Sequence, residues 1–132
     1  MSRLYVSGPM RGRRLYNFPA FFKAAINLRL AGNEVINPAE KDMAAGLDPS
    51  RPLDDQGFDL GVWLRRDFQD VLDCDAIVLL PGWEQSKGAC AERVVAQMAG
   101  KKIYYYEPDT PGFLRLVKPA CEPTISFTEE AA

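Results

Sequence analysis

Three side chains that could carry acid, base or nucleophilic chemistry occur in separate segments of the chain, namely Tyr5, Asp67 and Glu92. Histidine is absent from the sequence. A group that gains or loses a proton near neutral pH must therefore be a carboxylate, a tyrosine, a lysine or a cysteine. That restriction makes the two carboxylates and the tyrosine the first residues to consider.

Glu92 falls in the first turn or so of a predicted helix that follows the loop at residues 82–88. Its neighbours at i+3 and i+7 are Val95 and Ala99, which places Glu92 beside the apolar stripe of that helix but off its centre. The helix dipole favours a carboxylate here in any protein. A structural role is thus the first interpretation of Glu92 taken alone, and a functional role is the alternative.

Asp67 lies on the apolar stripe of another predicted helix, because Leu64 precedes it by three residues and Val71 follows it by four. A carboxylate that faces the sheet needs a partner or a cavity. Two interpretations stay open: a structural one, with an ion pair to Arg65 or Arg66 or a slight rotation of the helix, and a functional carboxylate in a cavity.

Tyr5 and Cys90 each have a simple structural explanation. Tyr5 belongs to a predicted strand, where a core aromatic whose hydroxyl finds a partner is the usual role. Cys90 stands at a helix start, where the pKa of a thiol falls. No histidine can pair with Cys90, which argues against a nucleophilic cysteine.

Two glycine-containing loops could bind an anion through backbone N–H groups and a cation. Neither has the spacing of a dinucleotide-binding fingerprint or of a P-loop. The alternatives are an ordinary turn with a solvated arginine in the first loop, and a simple helix cap with a solvated lysine in the second. The first loop consists of Ser7, Gly8, Pro9, Met10, Arg11 and Gly12, and the second contains Ser86, Lys87 and Gly88.

Length and composition predict one domain over residues 1–132, since 47% of the residues are hydrophobic and 11% aromatic. The formal net charge of -2 and a pI of about 5.2 give no basic field, which disfavours duplex nucleic acid as a partner. The N-terminal segment lacks the apolar region of a signal peptide, and no apolar run is long enough to span a bilayer. The sequence therefore predicts a soluble protein without a membrane partner.

The three cysteines, Cys74, Cys90 and Cys121, are an odd number without CxxC spacing. They fit neither a disulfide framework nor a zinc site. We expect a cytoplasmic protein that needs no metal and no cofactor.

The first half of the chain alternates between strand and helix patterns. A short β-type run at Arg3–Ser7 ends at Gly8-Pro9, and a helical pattern follows from Asn17, a candidate N-cap, to Gly32. Residues 34–38 read as a short strand. Residues 39–57 have no sustained period and are predicted to form a long functional loop, with one turn of helix at residues 39–45.

The second half continues the alternation. Residues 58–73 have a helical stripe, residues 76–80 form an unbroken apolar run typical of a buried central strand, and a helix that ends at Gly100 precedes a strand at residues 102–106. The tail at residues 107–132 contains four prolines. We predict only a turn of helix there, at residues 113–117.

This alternation predicts an α/β fold with a doubly wound, Rossmann or flavodoxin-like parallel sheet flanked by helices. Ligands of such sheets bind outside the carboxyl ends of the strands. Three segments should converge there: residues 8–12, the segment after Asn37, and residues 82–88. Together they predict a pocket.

The order and spacing of four segments resemble the nucleoside 2-deoxyribosyltransferase-like superfamily, most closely its 2′-deoxynucleoside 5′-phosphate N-hydrolase branch. These segments are "LYVSGPMRGRR", "LRLAG" followed by a short strand, "RRDFQDVLDCDAIVLL" and "SKGACAE". The resemblance covers residues 3–106, the predicted core of the domain.

This resemblance implies roles for the candidate residues. Glu92 matches the family's nucleophilic glutamate, Asp67 an aspartate that assists the leaving base, and Tyr5 the tyrosine that orients the nucleophile. Asn37 lies where the family contacts the base. The 5′-phosphate is held by a loop that residues 8–12 resemble and by positions that Ser86 and Gly88 match, with Arg11 and Lys87 nearby.

The implied activity is an N-glycosidase that cleaves a 2′-deoxynucleoside 5′-monophosphate through a covalent glycosyl-Glu92 intermediate. A deoxyribosyltransferase that uses a second base, or a noncatalytic nucleotide-binding module, are the alternatives. The resemblance also implies a homo-oligomer, a dimer or larger. The sequence departs from the family pattern at Pro9, Ala91, Arg93 and Val94.

Overall fold

Five strands form one sheet in the computed structural model, which describes residues 2–117. The sheet has the order β2-β1-β3-β4-β5, in which β1 to β4 are parallel and β5 is antiparallel to β4. This arrangement confirms the predicted doubly wound, flavodoxin-like α/β fold. The strands are β1 (Arg3–Ser7), β2 (Glu34–Ile36), β3 (Ala76–Leu79), β4 (Lys102–Tyr106) and β5 (Leu114–Leu116).

Within residues 2–117, four helices flank this sheet: α1 (Phe18–Leu30), α2 (Pro38–Ala44), α3 (Leu60–Asp73) and α4 (Lys87–Met98). The helical turn predicted after Asn37 is the short helix α2, which Asn37 caps by accepting a hydrogen bond from the backbone N–H of Ala39. Helix α3 begins two residues later than predicted, because the Asp59 side chain caps the Val62 N–H.

Alternate side chains of strand β1 point to opposite faces of the sheet and pack in two different apolar clusters. Leu4 and Val6 pack in the apolar cluster that contains the buried residues of α1. Tyr5 packs on the opposite side, in the cluster that contains Val71 of α3 and Ala96 of α4. The polar side chains of Tyr5 and Ser7 consequently reach towards α4 from the carboxyl half of a central strand.

Two local predictions are wrong: the capping role of Asn17, and the type of the element at residues 113–117. Asn17 precedes α1 as predicted, but its backbone is left-handed with φ of 62°, and its side chain donates to the carbonyl oxygen of Pro9 instead of capping the helix. The predicted helical turn near the C-terminus is the strand β5, in which Leu114 and Leu116 alternate with Arg115. Residues 118–132, with Cys121, lie outside the described residues.

Between residues 2 and 117, no helix is long and apolar enough to cross a membrane. No group of three or more acidic, cysteine or histidine side chains in that range could hold a metal ion.

Candidate functional site

A cleft of about 750 Å³ opens at the carboxyl ends of the central strands. Its walls come from the loop after β1, from the start of α2, from the first half of α3 and from the start of α4. Ligand sites in doubly wound sheets occupy this position, and the volume lies within the usual range for small-molecule pockets. The convergence of loops that the sequence predicts is therefore present.

Glu92 is a buried carboxylate in the wall of this cleft, with 9% of the residue exposed. The Tyr5 hydroxyl donates to its Oε2 at 2.6 Å, and the Ser7 hydroxyl donates to its Oε1 at 2.6 Å. Burial raises the pKa of Glu92 from 4.5 to about 7, while the two hydroxyl donors oppose that rise. Each carboxylate oxygen thus has one fixed donor, and Glu92 is poised to ionise near neutral pH.

Burial also raises the pKa of Tyr5 well above its usual 10, and the neighbouring Glu92 carboxylate adds to the effect. Tyr5 therefore stays a neutral hydrogen-bond donor over the whole physiological range. A buried carboxylate that is fixed by two neutral hydroxyls and borders a cleft can act as a nucleophile or as a base.

Asp67 lines the same cleft as Glu92, so the two carboxylates share one cavity. Arg66 donates to Asp67 Oδ1 from Nε at 2.9 Å and from Nη2 at 2.7 Å. The same Nη2 also lies 2.6 Å from Oδ1 of the buried Asp42. Both interpretations of Asp67 are thus part of the structure: it has an ion pair with Arg66, and it borders a cavity.

The pKa of Asp67 is raised above its usual value by burial, although the Arg66 guanidinium opposes the shift. Burial likewise raises the pKa of Asp42 to about 6, against the effect of Arg66. Asp67 is consequently a carboxyl group that keeps its proton more readily than an ordinary aspartate. Such a group can donate a proton to a bound molecule.

Cationic groups and a helix N-terminus border the cleft. Lys87 stands at the start of α4 beside Ser86 and Gly88, and Arg11 and Arg13 also line the cleft. Ser86 caps α4 by accepting from the backbone N–H of Ala89 at 3.1 Å, so the structural interpretation of Ser86 holds. Positive side chains beside the N-terminus of a 12-residue helix favour an anion.

Aromatic side chains supply much of the remaining wall. The rings of Phe58 and Trp63 lie 4.8 Å apart, and the Arg11 guanidinium is 5.5 Å from the centre of the Phe58 ring. Phe18, Phe21 and Phe68 also line the cleft. These rings offer flat apolar surfaces on which a heteroaromatic ring can stack.

The structure brings most of the predicted site residues together. Tyr5, Asp67 and Glu92 line the cleft, and Ser7 is linked to it through its hydrogen bond to Glu92. The other predicted residues in the wall are Gly8, Pro9, Met10, Arg11, Ser86, Lys87 and Gly88.

Two predicted binding residues, Gly12 and Asn37, are not among the residues that line the cleft. Gly12 has a φ of 78° and serves the turn. Asn37 is buried and caps α2, whose Pro38 and Asp42 do reach the cleft. Of the residues that depart from the family pattern, Pro9 and Ala91 line the cleft, whereas Arg93 lies over the Trp83 ring at 5.4 Å.

Sequence reasoning missed two charged residues of the wall. Asp42 belongs to the stretch at residues 39–57, which the sequence predicts to be mostly loop. Helical spacing therefore gave no indication of the direction of its side chain. Arg13 lies just beyond the first glycine-containing loop, and a Cβ atom added to Gly82 would lie 2.6 Å from its Nη2. The pairing of Gly82 with Arg13 joins loops that follow different strands, so only the folded chain shows it.

Comparison with curated proteins found no match to the chain. The family described as "Domain of unknown function (DUF4406)" matches residues 2–105. Because that match covers most of the 132 residues, the chain belongs to the DUF4406 family.

Proposed function

We propose that this protein hydrolyses the N-glycosidic bond of a 2′-deoxynucleoside 5′-monophosphate, with Glu92 as the nucleophile. The observation that carries this proposal is the double hydrogen bond from Tyr5 and Ser7 to the buried Glu92 carboxylate, at 2.6 Å each. A glutamate that only interacted favourably with the helix dipole would need neither burial nor two fixed hydrogen-bond donors. The presence of Asp67 in the same cleft supplies the second group that glycoside cleavage requires.

The first half of the proposed reaction forms a covalent intermediate. A carboxylate oxygen of ionised Glu92 bonds to C1′ of the sugar as the bond from C1′ to the base nitrogen breaks, through a transition state with oxocarbenium character. The electron pair of the broken bond leaves with the base, which takes a proton from Asp67. The hydroxyls of Tyr5 and Ser7 hold the attacking carboxylate in one orientation.

Water completes the reaction in the second half. Asp67, now ionised, takes a proton from the attacking water as the new bond to C1′ forms. The bond between C1′ and Glu92 breaks, and the carboxylate returns to its two hydroxyl donors. The products are the free base and deoxyribose 5-phosphate, formed with retention of configuration at C1′.

The rest of the cleft wall supports this substrate class. The rings of Phe58 and Trp63 suit a nucleobase, and the cations Arg11, Arg13 and Lys87 in the cleft wall suit a phosphate group. The resemblance of four sequence segments to the 2′-deoxynucleoside 5′-phosphate N-hydrolases supports the same substrate. From this resemblance we also infer a homo-oligomer, which light scattering of the full chain tests.

Base release is the direct test of this activity. The full chain is incubated with the four common deoxynucleoside monophosphates and the matching nucleosides, and free base is quantified by chromatography. We expect release from at least one monophosphate and a loss of about 10³-fold or more in Glu92→Gln. Glu84→Gln is the matched control, because Glu84 is exposed, does not line the cleft and lies eight residues before Glu92.

Other outcomes point to different functions. Release that depends on an added free base would identify a deoxyribosyltransferase. A rise in the melting temperature with nucleotides, without base release, would identify a nucleotide-binding module. Undiminished release by Glu92→Gln would contradict the proposed mechanism.

A further inference from the structure

One arginine joins two aspartates from different helices beside the cleft. The Arg66 Nη2 atom of α3 lies 2.6 Å from Oδ1 of Asp42 in α2 and 2.7 Å from Oδ1 of Asp67. Both aspartates line the cleft, and Asp42 is only 5% exposed. Two carboxylates therefore share one guanidinium nitrogen in a largely dry position.

The charges of this cluster do not balance when both carboxylates are ionised, because one cation and two anions leave a net charge of -1. The ionisable Glu92 of α4 borders the same cleft and interacts unfavourably with ionised Asp67. Ionised Asp42 and Asp67 also oppose each other. A single proton on the pair makes the cluster neutral and removes these repulsions.

The other charged or titratable groups near the pair do not supply the missing positive charge. Tyr5 of β1 faces Asp67 as a neutral phenol. Lys41 of α2 lowers the pKa of Asp67, but Asp70 of α3, with which Lys41 is paired at 2.6 Å, raises it. Arg66 is already engaged by both aspartates. A proton is thus the simplest way to neutralise the second carboxylate.

We propose that Asp42 and Asp67 hold one proton between them across Arg66, and that Asp42 is a positioning residue that keeps this proton available on Asp67 for the departing base. This inference rests on the proposed function. Without Asp42, the whole guanidinium charge would serve Asp67 and favour its ionised form. Asp42 thereby keeps Asp67 protonated to a higher pH than an unshared Arg66 would allow.

The proton balance is that of a general acid which becomes a general base. When the bond from C1′ to the base nitrogen breaks, the shared proton moves to the base, and both aspartates are ionised. When water attacks C1′, its proton returns to the pair as its oxygen bonds to C1′ and Glu92 is released. One turnover leaves the pair unchanged.

The competing explanation is that Asp42 only clamps α2 to α3. The chain contains a matched control for this role, because the ion pair of Lys41 with Asp70 joins the same two helices at the same 2.6 Å but neither residue lines the cleft. Asp70→Asn breaks a helix clamp of equal length without removing a carboxyl group from the cleft.

The test compares the pH dependence of base release by the wild type, Asp42→Asn and Asp70→Asn. For Asp42→Asn we expect the alkaline limb of kcat to move to lower pH by about one unit or more, with KM changed by less than about threefold. Asp70→Asn also removes a charge that raises the pKa of Asp67, but Asp42 still shares Arg66 in this variant, so we expect its alkaline limb to move by less than that of Asp42→Asn. Equal alkaline limbs in Asp42→Asn and the wild type would overturn the proposal, as would equal shifts in both variants.

A second measurement does not depend on turnover. Carbon-13 NMR of labelled aspartate carboxyl groups, without substrate, follows the titration of Asp42 and Asp67 directly. A raised midpoint for Asp67 that falls in Asp42→Asn supports the shared proton, and an unchanged midpoint overturns it. If the wild type released no base, the proposed function would fail, and this titration would still decide whether the pair holds a proton.

Discussion

The Tyr5 hydroxyl and the Glu92 carboxylate, 87 residues apart in the sequence, form a buried hydrogen bond of 2.6 Å between strand β1 and helix α4. A charge in that position is costly unless donors satisfy it, and Ser7 supplies the second donor at 2.6 Å. The bond thus links strand β1, the start of α4 and the cleft in one polar contact.

Tyr5→Phe should shift the acidic limb of activity to higher pH. The Tyr5 hydrogen bond lowers the pKa of Glu92, so its removal leaves a smaller ionised fraction at neutral pH. We expect a loss of about tenfold in kcat at pH 7, partly recovered at higher pH. The measurement is the pH profile of base release.

Tyr106→Phe is the matched control for that variant. It removes a hydrogen bond between the Tyr106 hydroxyl and Asn27 at 2.9 Å, in another mostly buried tyrosine that does not line the cleft. Its pH profile should match that of the wild type. A shift of equal size in both variants would mean that Tyr5 acts only through stability.

Glu92→Gln should change how the free energy of unfolding depends on pH. Burial raises the pKa of Glu92 from 4.5 to about 7, so between these values the folded chain holds a proton that the unfolded chain has released. Stability from this group is complete below 4.5 and is lost as pH rises through 7.

The variant lacks this titration, so its stability relative to the wild type should increase by about 3 kcal/mol between pH 4 and pH 8. Urea unfolding at several pH values measures the difference. Parallel stability profiles of the two proteins would show that Glu92 ionises in the folded chain as it does in an unfolded one.

The secondary structure of the core is predictable because its signals are local. The buried run at residues 76–80 and the period of Leu64, Asp67 and Val71 indicate element type without tertiary information. The sequence predicts a helical turn where β5 lies, because five residues with two leucines fit the period of a helix as well as that of a strand. Its pairing with β4 decides the matter, since Tyr104 and Tyr106 stand opposite Leu116 and Leu114.

The candidate site was predictable only in part, because its polar contacts join distant segments. Helical spacing identified Asp67 as a carboxylate in an apolar position, which needs a partner. Nothing local indicates that Arg66 also binds Asp42, 24 residues earlier. Asn37, for which the family resemblance implies a contact with the base, accepts a hydrogen bond that caps α2 and does not line the cleft.

Gly8→Ala should destabilise the fold, because the added Cβ would lie 2.8 Å from the Cβ of Leu80 at the end of the central strand. We expect a loss of about 1 to 3 kcal/mol, measured by urea unfolding. Gly61→Ala is the control, since its Cβ would meet only Asp59 Oδ1 at 3.4 Å. Equal stabilities of Gly8→Ala and the wild type would contradict the close approach of the two strands' ends.

Arg13→Ala should weaken selection of the phosphate group. Arg13 lines the cleft, and a charge-assisted contact contributes about 10- to 100-fold in affinity. We expect KM for the monophosphate to rise by about that factor, while kcat/KM for the nucleoside stays the same. Arg14→Ala, which removes an exposed cation outside the cleft, should affect neither substrate; equal losses for nucleotide and nucleoside in Arg13→Ala would argue against a phosphate contact.

The most direct test of the nucleophilic role of Glu92 is mass spectrometry of the protein after rapid acid quenching during turnover of the best deoxynucleoside monophosphate. We expect a protein whose mass is increased by one deoxyribose phosphate group, with the added group on the peptide that contains Glu92. Glu92→Gln should show no adduct. Base release by the wild type without any adduct at Glu92, and with inversion at C1′, would contradict the covalent mechanism.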